Sequence, residues 1–128
     1  MAKVAVVAAG GNSLIRDDRH KSIADQCLAA IETCKHLGAM VEQGWEIVLT
    51  HGNGPQVGFI QRRSELALTE LPPVPLDHCD AASQGDIGYI FQNALYNEFR
   101  KRGLKKGVVT LVTQVLVEIG RASCRVRV

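Results

Sequence analysis

The chain has 128 residues, 46% of them hydrophobic, with a formal net charge of +2. That length suits one compact domain or part of one, and the apolar content excludes a disordered chain. Residues 1–117 are neutral and the surplus lies in Arg121, Arg125 and Arg127, so no basic face asks for nucleic acid. The first apolar run, Lys3-Val4-Ala5-Val6-Val7-Ala8-Ala9, has strand length, too short for a signal peptide or a membrane span, and the expected setting is cytoplasmic. Its β-branched, nearly uncharged character predicts a strand buried on both faces.

Gly10-Gly11-Asn12-Ser13 follows this strand, and then a polar stretch, Arg16 to His20, that reads as loop. A helix is predicted from about Lys21 to Gln43, with an apolar stripe of Ile23, Cys27, Ala30, Ile31, Cys34, Leu37 and Val41. His36 falls on its polar side and reads as solvated. Gly44 ends this helix, and Trp45 leads into a second strand at 46–50.

The next stretch, Thr50-His51-Gly52-Asn53-Gly54-Pro55-Gln56-Val57-Gly58, carries the strongest chemical signal. Two glycines at a strand-to-helix turn let backbone approach a ligand closely. Pro55 suits the first helical position, where its missing N–H costs nothing. The unpaired N–H groups of the helix start favour an anion, phosphate being the usual one. The Gly10-Gly11-Asn12 loop repeats the pattern, which predicts two backbone cradles at the carboxyl ends of parallel strands. His51 reads as a residue that fixes the turn, with substrate contact as the alternative.

The helix after Pro55 carries Val57, Ile60, Leu66 and Leu68 and fades near Thr69. Three of the four prolines fall in Leu71 to Leu76, an extended connector. A third helix starts near Asp77 or Ser83 and stops at Gly103, with Ile87, Ile90, Phe91, Ala94, Leu95 and Phe99 as its apolar stripe. Ser83-Gln84-Gly85 reads as a cap followed by a glycine for close packing. Val108 to Val117 predicts a third strand, and from Glu118 to Val128 all periodicity is lost. The cysteines, at 27, 34, 79 and 124, have neither metal-ligand nor disulfide spacing and read as small buried hydrophobes.

Gly10-Gly11-Asn12, Thr50 to Gly58, Pro75-Leu76-Asp77, Ser83 to Tyr89 and Val112-Thr113-Gln114-Val115, in this order and at this spacing, resemble carbamate kinase. The resemblance covers residues 1–117. It implies the amino acid kinase superfamily: an α/β three-layer sandwich with a mainly parallel central sheet, here partial. It further implies transfer between ATP and carbamate to give ADP and carbamoyl phosphate, with Mg²⁺ on the nucleotide, a homodimer, and a place in arginine catabolism. By position, Gly10, Gly11 and Asn12 would cradle the transferred phosphoryl group. Gly52, Asn53 and Gly54 would bind the carbamate or carbamoyl phosphate end, with Asn12 and Asn53 as the catalytic positioning residues. The family's lysines and adenine pocket belong to a segment after the third strand, and its members are more than twice this long. On that basis the chain is expected to be an N-terminal part, inactive alone, ending in a tail at 118–128 of adapter, vector or frameshift origin. Two other readings stay open: a non-catalytic anion-binding remnant, and a dinucleotide-binding oxidoreductase module. The second is disfavoured because Gly52-x-Gly54-x-x-x-Gly58 is one residue too long for the fingerprint and contains Pro55.

Overall fold

A computed structural model of the chain describes residues 3–10, 13–15, 17 and 19–115. The element order is β1 (Lys3–Ala9), α1 (Ile23–Glu42), β2 (Trp45–His51), α2 (Gly54–Leu66) and α3 (Leu76–Lys101). β1 and β2 pair in parallel, from Lys3 opposite Trp45 to Ala9 opposite His51. Parallel neighbours need a crossover, and α1 supplies it. The register brings both carboxyl ends level, so the two glycine loops leave the sheet side by side.

Local chemistry explains where the helices begin and end. Ser22 caps α1: its Oγ accepts the Asp25 N–H at 3.2 Å, and the Asp25 carboxylate accepts the Ser22 N–H at 3.0 Å. Gly44, at φ 86°, turns the chain out of α1. α3 ends in a Schellman turn: Leu104 N–H donates to Phe99 O at 2.9 Å and Gly103 N–H to Arg100 O at 3.2 Å. Gly103 takes the left-handed conformation there, at φ 68°.

The core lies between the α1–α3 pair and one face of the strands. Cys34 and Leu37 of α1 meet Ile87, Phe91, Leu95 and Phe99 of α3, and Val7, Ile47 and Leu49 pack against them from the sheet. Cys34 and Cys79 are fully buried and Cys27 half-buried, as small hydrophobes should be; Cys124 lies outside the described residues. The buried side of α1 includes Ala29 and Gly38, whereas Ile23 and Ile31 of the expected stripe face outward. Close approach to α3 selects small residues: a Cβ at Gly38 would stand 2.7 Å from Glu98 Cγ. Arg102 closes this seam, donating to Glu98 Oε1 at 2.7 Å and to Glu42 Oε2 at 2.6 Å.

Several expectations are corrected. β1 is covered on one face, with Val4 59% and Val6 71% exposed, because helices pack on one side of the described sheet. That sheet has two strands. Residues 108–115 form no β-ladder, and the remainder of the predicted third strand and the 118–128 tail fall outside the described residues. Side chains of α3 hold this segment instead. Gln92 Nε2 and Tyr96 Oη both donate to Val108 O at 3.1 Å, and Gln84 Oε1 accepts Thr113 N–H at 2.8 Å. α3 begins at Leu76, so Ser83 sits inside the helix and caps nothing. Gly85 has open space around it, and Gly88 is the close-packing glycine: a Cβ there would collide with the Thr110 side chain. α2 buries only Gln56, and Leu66 and Leu68 are exposed.

Candidate functional site

Both glycine loops meet at the carboxyl edge of the strands. Gly52 N–H donates to Ala9 O at 3.3 Å, which locks the second loop to the end of β1. Gly10 O accepts Ser13 N–H at 2.8 Å, at the end of β1. Gly11 and Asn12 lie outside the described residues. Gly52 and Gly54 are exposed.

α2 starts at this edge. Its first backbone partner is Val57 N–H on Asn53 O at 3.0 Å, and Pro55 stands in the first turn. The N–H groups of Asn53, Gly54 and Gln56 have no hydrogen-bond acceptor among the described residues. Unpaired N–H groups at a helix start carry partial positive charge and suit an anion.

Asn53 is the N-cap, yet its side chain makes no cap bond. Its Nδ2 donates instead to Asp80 Oδ1 at 2.5 Å and to Ser83 Oγ at 2.8 Å. Ser83 Oγ donates onward to Asp80 O at 2.7 Å, and Gln84 Nε2 to Asp80 Oδ2 at 2.7 Å. A carboxylate only accepts, so the amide nitrogen of Asn53 must face Asp80. With both amide hydrogens committed, the Asn53 side chain has Oδ1 left to offer, an acceptor.

A second amide pair sits beneath the loop. Gln56 and Gln26 are 4% and 3% exposed. Gln56 Nε2 donates to Gln26 Oε1 at 3.0 Å, and Gln26 Nε2 to Lys21 O at 3.2 Å. This chain ties the start of α2 to the start of α1 and so fixes both loops' helices to each other. Gln56 Oε1, His51 Nδ1 and Ser13 Oγ are buried with no hydrogen-bond partner among the described residues. Among those residues, then, His51 does not fix the turn through Nδ1. His36 is exposed on α1, away from these loops.

The sequence placed Gly10, Gly52, Asn53 and Gly54 at one edge, where the structure brings them together. It missed Asp80 and Gln84 and gave Ser83 a capping role. The signal available was the Asp80-x-x-Ser83-Gln84 spacing, which puts the three on one face of a helix. Among the described residues no cluster of His, Cys, Asp or Glu could hold a metal ion. No described helix is long and apolar enough to cross a membrane.

No protein-family model matches the chain. It is 47% identical over 120 residues to the carbamate kinase-like protein YahI of Escherichia coli, covering 92% of this chain and 38% of that protein. It is 42% identical over 119 residues to carbamate kinase 1 of Enterococcus faecium, with the same two shares covered. Among solved structures, the carbamate kinase of Giardia lamblia bound to AMP-PNP superposes with a TM-score of 0.86 at 35% identity, over 92% of this chain and 41% of that one. The chain thus carries part of the amino acid kinase fold. It is a homologue of the carbamate kinases over 92% of its length, and it spans about 38% of theirs.

Proposed function

We propose that the paired loops hold the carbamoyl phosphate end of a carbamate kinase reaction, ATP and carbamate to and from ADP and carbamoyl phosphate. The reaction belongs to a polypeptide that joins this chain to the rest of the kinase fold. The observation that carries the reading is the level register of β1 and β2, which sets two glycine loops and the unpaired N–H groups of α2 at one edge. Gly10, Gly11, Asn12, Gly52 and Gly54 would contribute the phosphoryl side of the cradle. Asn53 would act through Oδ1. Carbamate and carbamoyl phosphate carry an amino group, and an acceptor fixed by Asp80 and Ser83 would recognise it where an ionised carboxylate such as acetate has no hydrogen to give.

Phosphoryl transfer needs positioning and charge neutralisation more than covalent chemistry. The described loops supply positioning. Mg²⁺ enters with the nucleotide substrate, and the cations that balance the transferred charge come from the rest of the fold. The AMP-PNP bound to the Giardia enzyme supports nucleotide binding. The homodimer, the cytoplasmic setting and the role in arginine catabolism belong to the same proposal, as does a foreign origin for residues 118–128.

The test is a chimera in which this chain replaces the matched segment of the Enterococcus faecium enzyme. ATP formation from ADP and carbamoyl phosphate should fall by about 100-fold or more in Asn53→Ala, the size of losing one positioned polar group around a transition state. His36→Ala should leave it within about twofold, as an exposed substitution far from the site does. Equal, small effects would misplace the site, and binding without turnover in the unsubstituted chimera would favour an anion-binding remnant.

A further inference from the structure

Gln84 stands half-buried on α3, one helical turn beyond Asp80. Its Nε2 donates to Asp80 Oδ2 at 2.7 Å and to Thr113 O at 3.3 Å. Its Oε1 accepts Thr113 N–H at 2.8 Å. The side-chain amide thus meets both backbone groups of one residue, 29 positions away, as a neighbouring peptide would.

Polarity fixes which way this amide lies. A carboxylate accepts and a backbone N–H donates, so the nitrogen must face Asp80 and the oxygen must face Thr113 N–H. Turning the amide over would set an oxygen against the Asp80 carboxylate and a donor against a donor. Asp80 passes the direction on. One of its oxygens takes Gln84 Nε2 and the other takes Asn53 Nδ2. The χ2 torsion of an aspartate is broad, so a bond on Oδ2 sets the carboxylate plane and with it the place of Oδ1. Ser83 Oγ, anchored on Asp80 O, takes the second Asn53 hydrogen. A chain of hydrogen bonds therefore runs from the Thr113 backbone through Gln84 and Asp80 to Asn53 in the loop.

We propose that Gln84 is a positioning residue for substrate selection: through Asp80 it holds the Asn53 amide with Oδ1 toward the substrate, so that the site takes an acyl phosphate bearing an amino group over one bearing a methyl. This inference rests on the role proposed for Asn53. The amino group of carbamoyl phosphate has a hydrogen for Oδ1, and the methyl of acetyl phosphate, of nearly the same size, has none. Binding the methyl analogue leaves a fixed acceptor unpaired, which is where selection by hydrogen bonding is strongest. An Asn53 amide that loses its fixed partner turns over and offers a donor in place of the acceptor. The loss then falls on carbamoyl phosphate and not on acetyl phosphate, which makes no bond to the oxygen.

The experiment measures ATP formation by the Enterococcus faecium chimera from ADP and each of the two acyl phosphates, which give their phosphoryl group to ADP and leave as carbamate or acetate. Where transfer from acetyl phosphate is too slow to follow, its inhibition constant against carbamoyl phosphate provides the same comparison. Gln84→Leu should lower kcat/KM for carbamoyl phosphate by about tenfold, the equivalent of one misplaced hydrogen bond, and leave acetyl phosphate within about threefold. Gln84→Glu keeps an acceptor for Thr113 N–H and loses the donor to Asp80, so it should do the same even if the leucine variant fails to fold. Gln92 Nε2 donates to Val108 O and so holds the same segment without touching Asp80. Gln92→Leu should therefore leave the ratio of the two substrates within about twofold, as a change outside the chain of bonds does. In an Asn53→Ala background, Gln84→Leu should change neither substrate by more than about twofold, since its effect runs through Asn53. Equal losses with both acyl phosphates, a tenfold loss that persists beside Asn53→Ala, or a Gln92→Leu effect matching that of Gln84→Leu would overturn the proposal. Parental behaviour of both Gln84 variants, with Asn53→Ala impaired, would overturn it alone. An inert Asn53→Ala would overturn the reading of the loop and this proposal with it.

Discussion

Asn53 shows how far one residue could be read from sequence. Its position between two loop glycines was legible, because turn chemistry is local. Its partners were not, because Asp80 and Ser83 are 27 and 30 residues away and only packing brings α3 to the loop. In the chimera, Asp80→Asn should raise KM for carbamoyl phosphate by about tenfold, the equivalent of one misplaced hydrogen bond. An unchanged KM would show that Asp80 does not orient Asn53. Two other residues carry simple titration tests. Hydrogen bonds from the Ser22 side chain and backbone hold the Asp25 carboxyl below its ordinary value of 3.8. A depressed folded-state value stabilises above the unfolded one and is lost as pH falls through the folded one. Asp25→Asn should therefore lower the urea midpoint at pH 7, with the gap to the parent closing below pH 3.8. A gap that persists at pH 2 would assign the effect to something other than the carboxylate. Burial, with the Glu98 carboxylate adding to it, pushes the Cys34 thiol up to about 12. Iodoacetamide at pH 8 should label Cys27 and spare Cys34 in the folded chain, which mass spectrometry would read directly.

At the level of elements, the helices were legible and the third strand was not. Capping residues and stop glycines are local signals, and α1 and α3 lie within two residues of an expected boundary at each end. The stripe Ile87, Phe91, Leu95 and Phe99 is buried throughout, since a period of 3.6 reports a covered face whatever covers it. Residues 108–115 have strand composition without a ladder, because composition sets β character and a paired neighbour makes a strand. Their attachment to α3 depends on the glycine under Thr110. Gly88→Ala should destabilise the chain by about 1–3 kcal/mol through overpacking and free residues 107–115 from the helix. Gly85→Ala, with open space around it, should stabilise by up to about 1 kcal/mol from helix propensity alone. Urea unfolding of the pair checks this, and similar effects from both would show that the Gly88–Thr110 contact does not hold the segment.

For the molecule as a whole, apolar surface lies on the strands and on residues 108–115 as well as on the helices. Val4, Val6, Val48, Val109 and Leu111 are all at least half exposed, as are Ile23 and Leu28 of α1 and Leu66 of α2, while the α3 stripe is covered. Alternation along β1 and β2 puts Val4, Val6 and Val48 on the outer sheet face. Unpaired edges and an uncovered β face invite association. Against a typical domain margin of ~5–15 kcal/mol, the 128-residue chain alone should show a broad urea transition at low midpoint. Removing residues 118–128 should not restore it. A sharp two-state transition from a soluble monomer would contradict this.

The edge where both glycine loops meet is the proposed site for the carbamoyl phosphate end of the reaction. Amide chemical-shift titration of the intact chain with carbamoyl phosphate tests it without requiring turnover. Saturable shifts should cluster at Gly10, Gly52, Asn53, Gly54 and Gln56, with Asp80 following through Asn53, and inorganic phosphate should shift the glycines while leaving the Asn53 side chain unmoved. Shifts confined to other surfaces, or none at millimolar ligand, would contradict it.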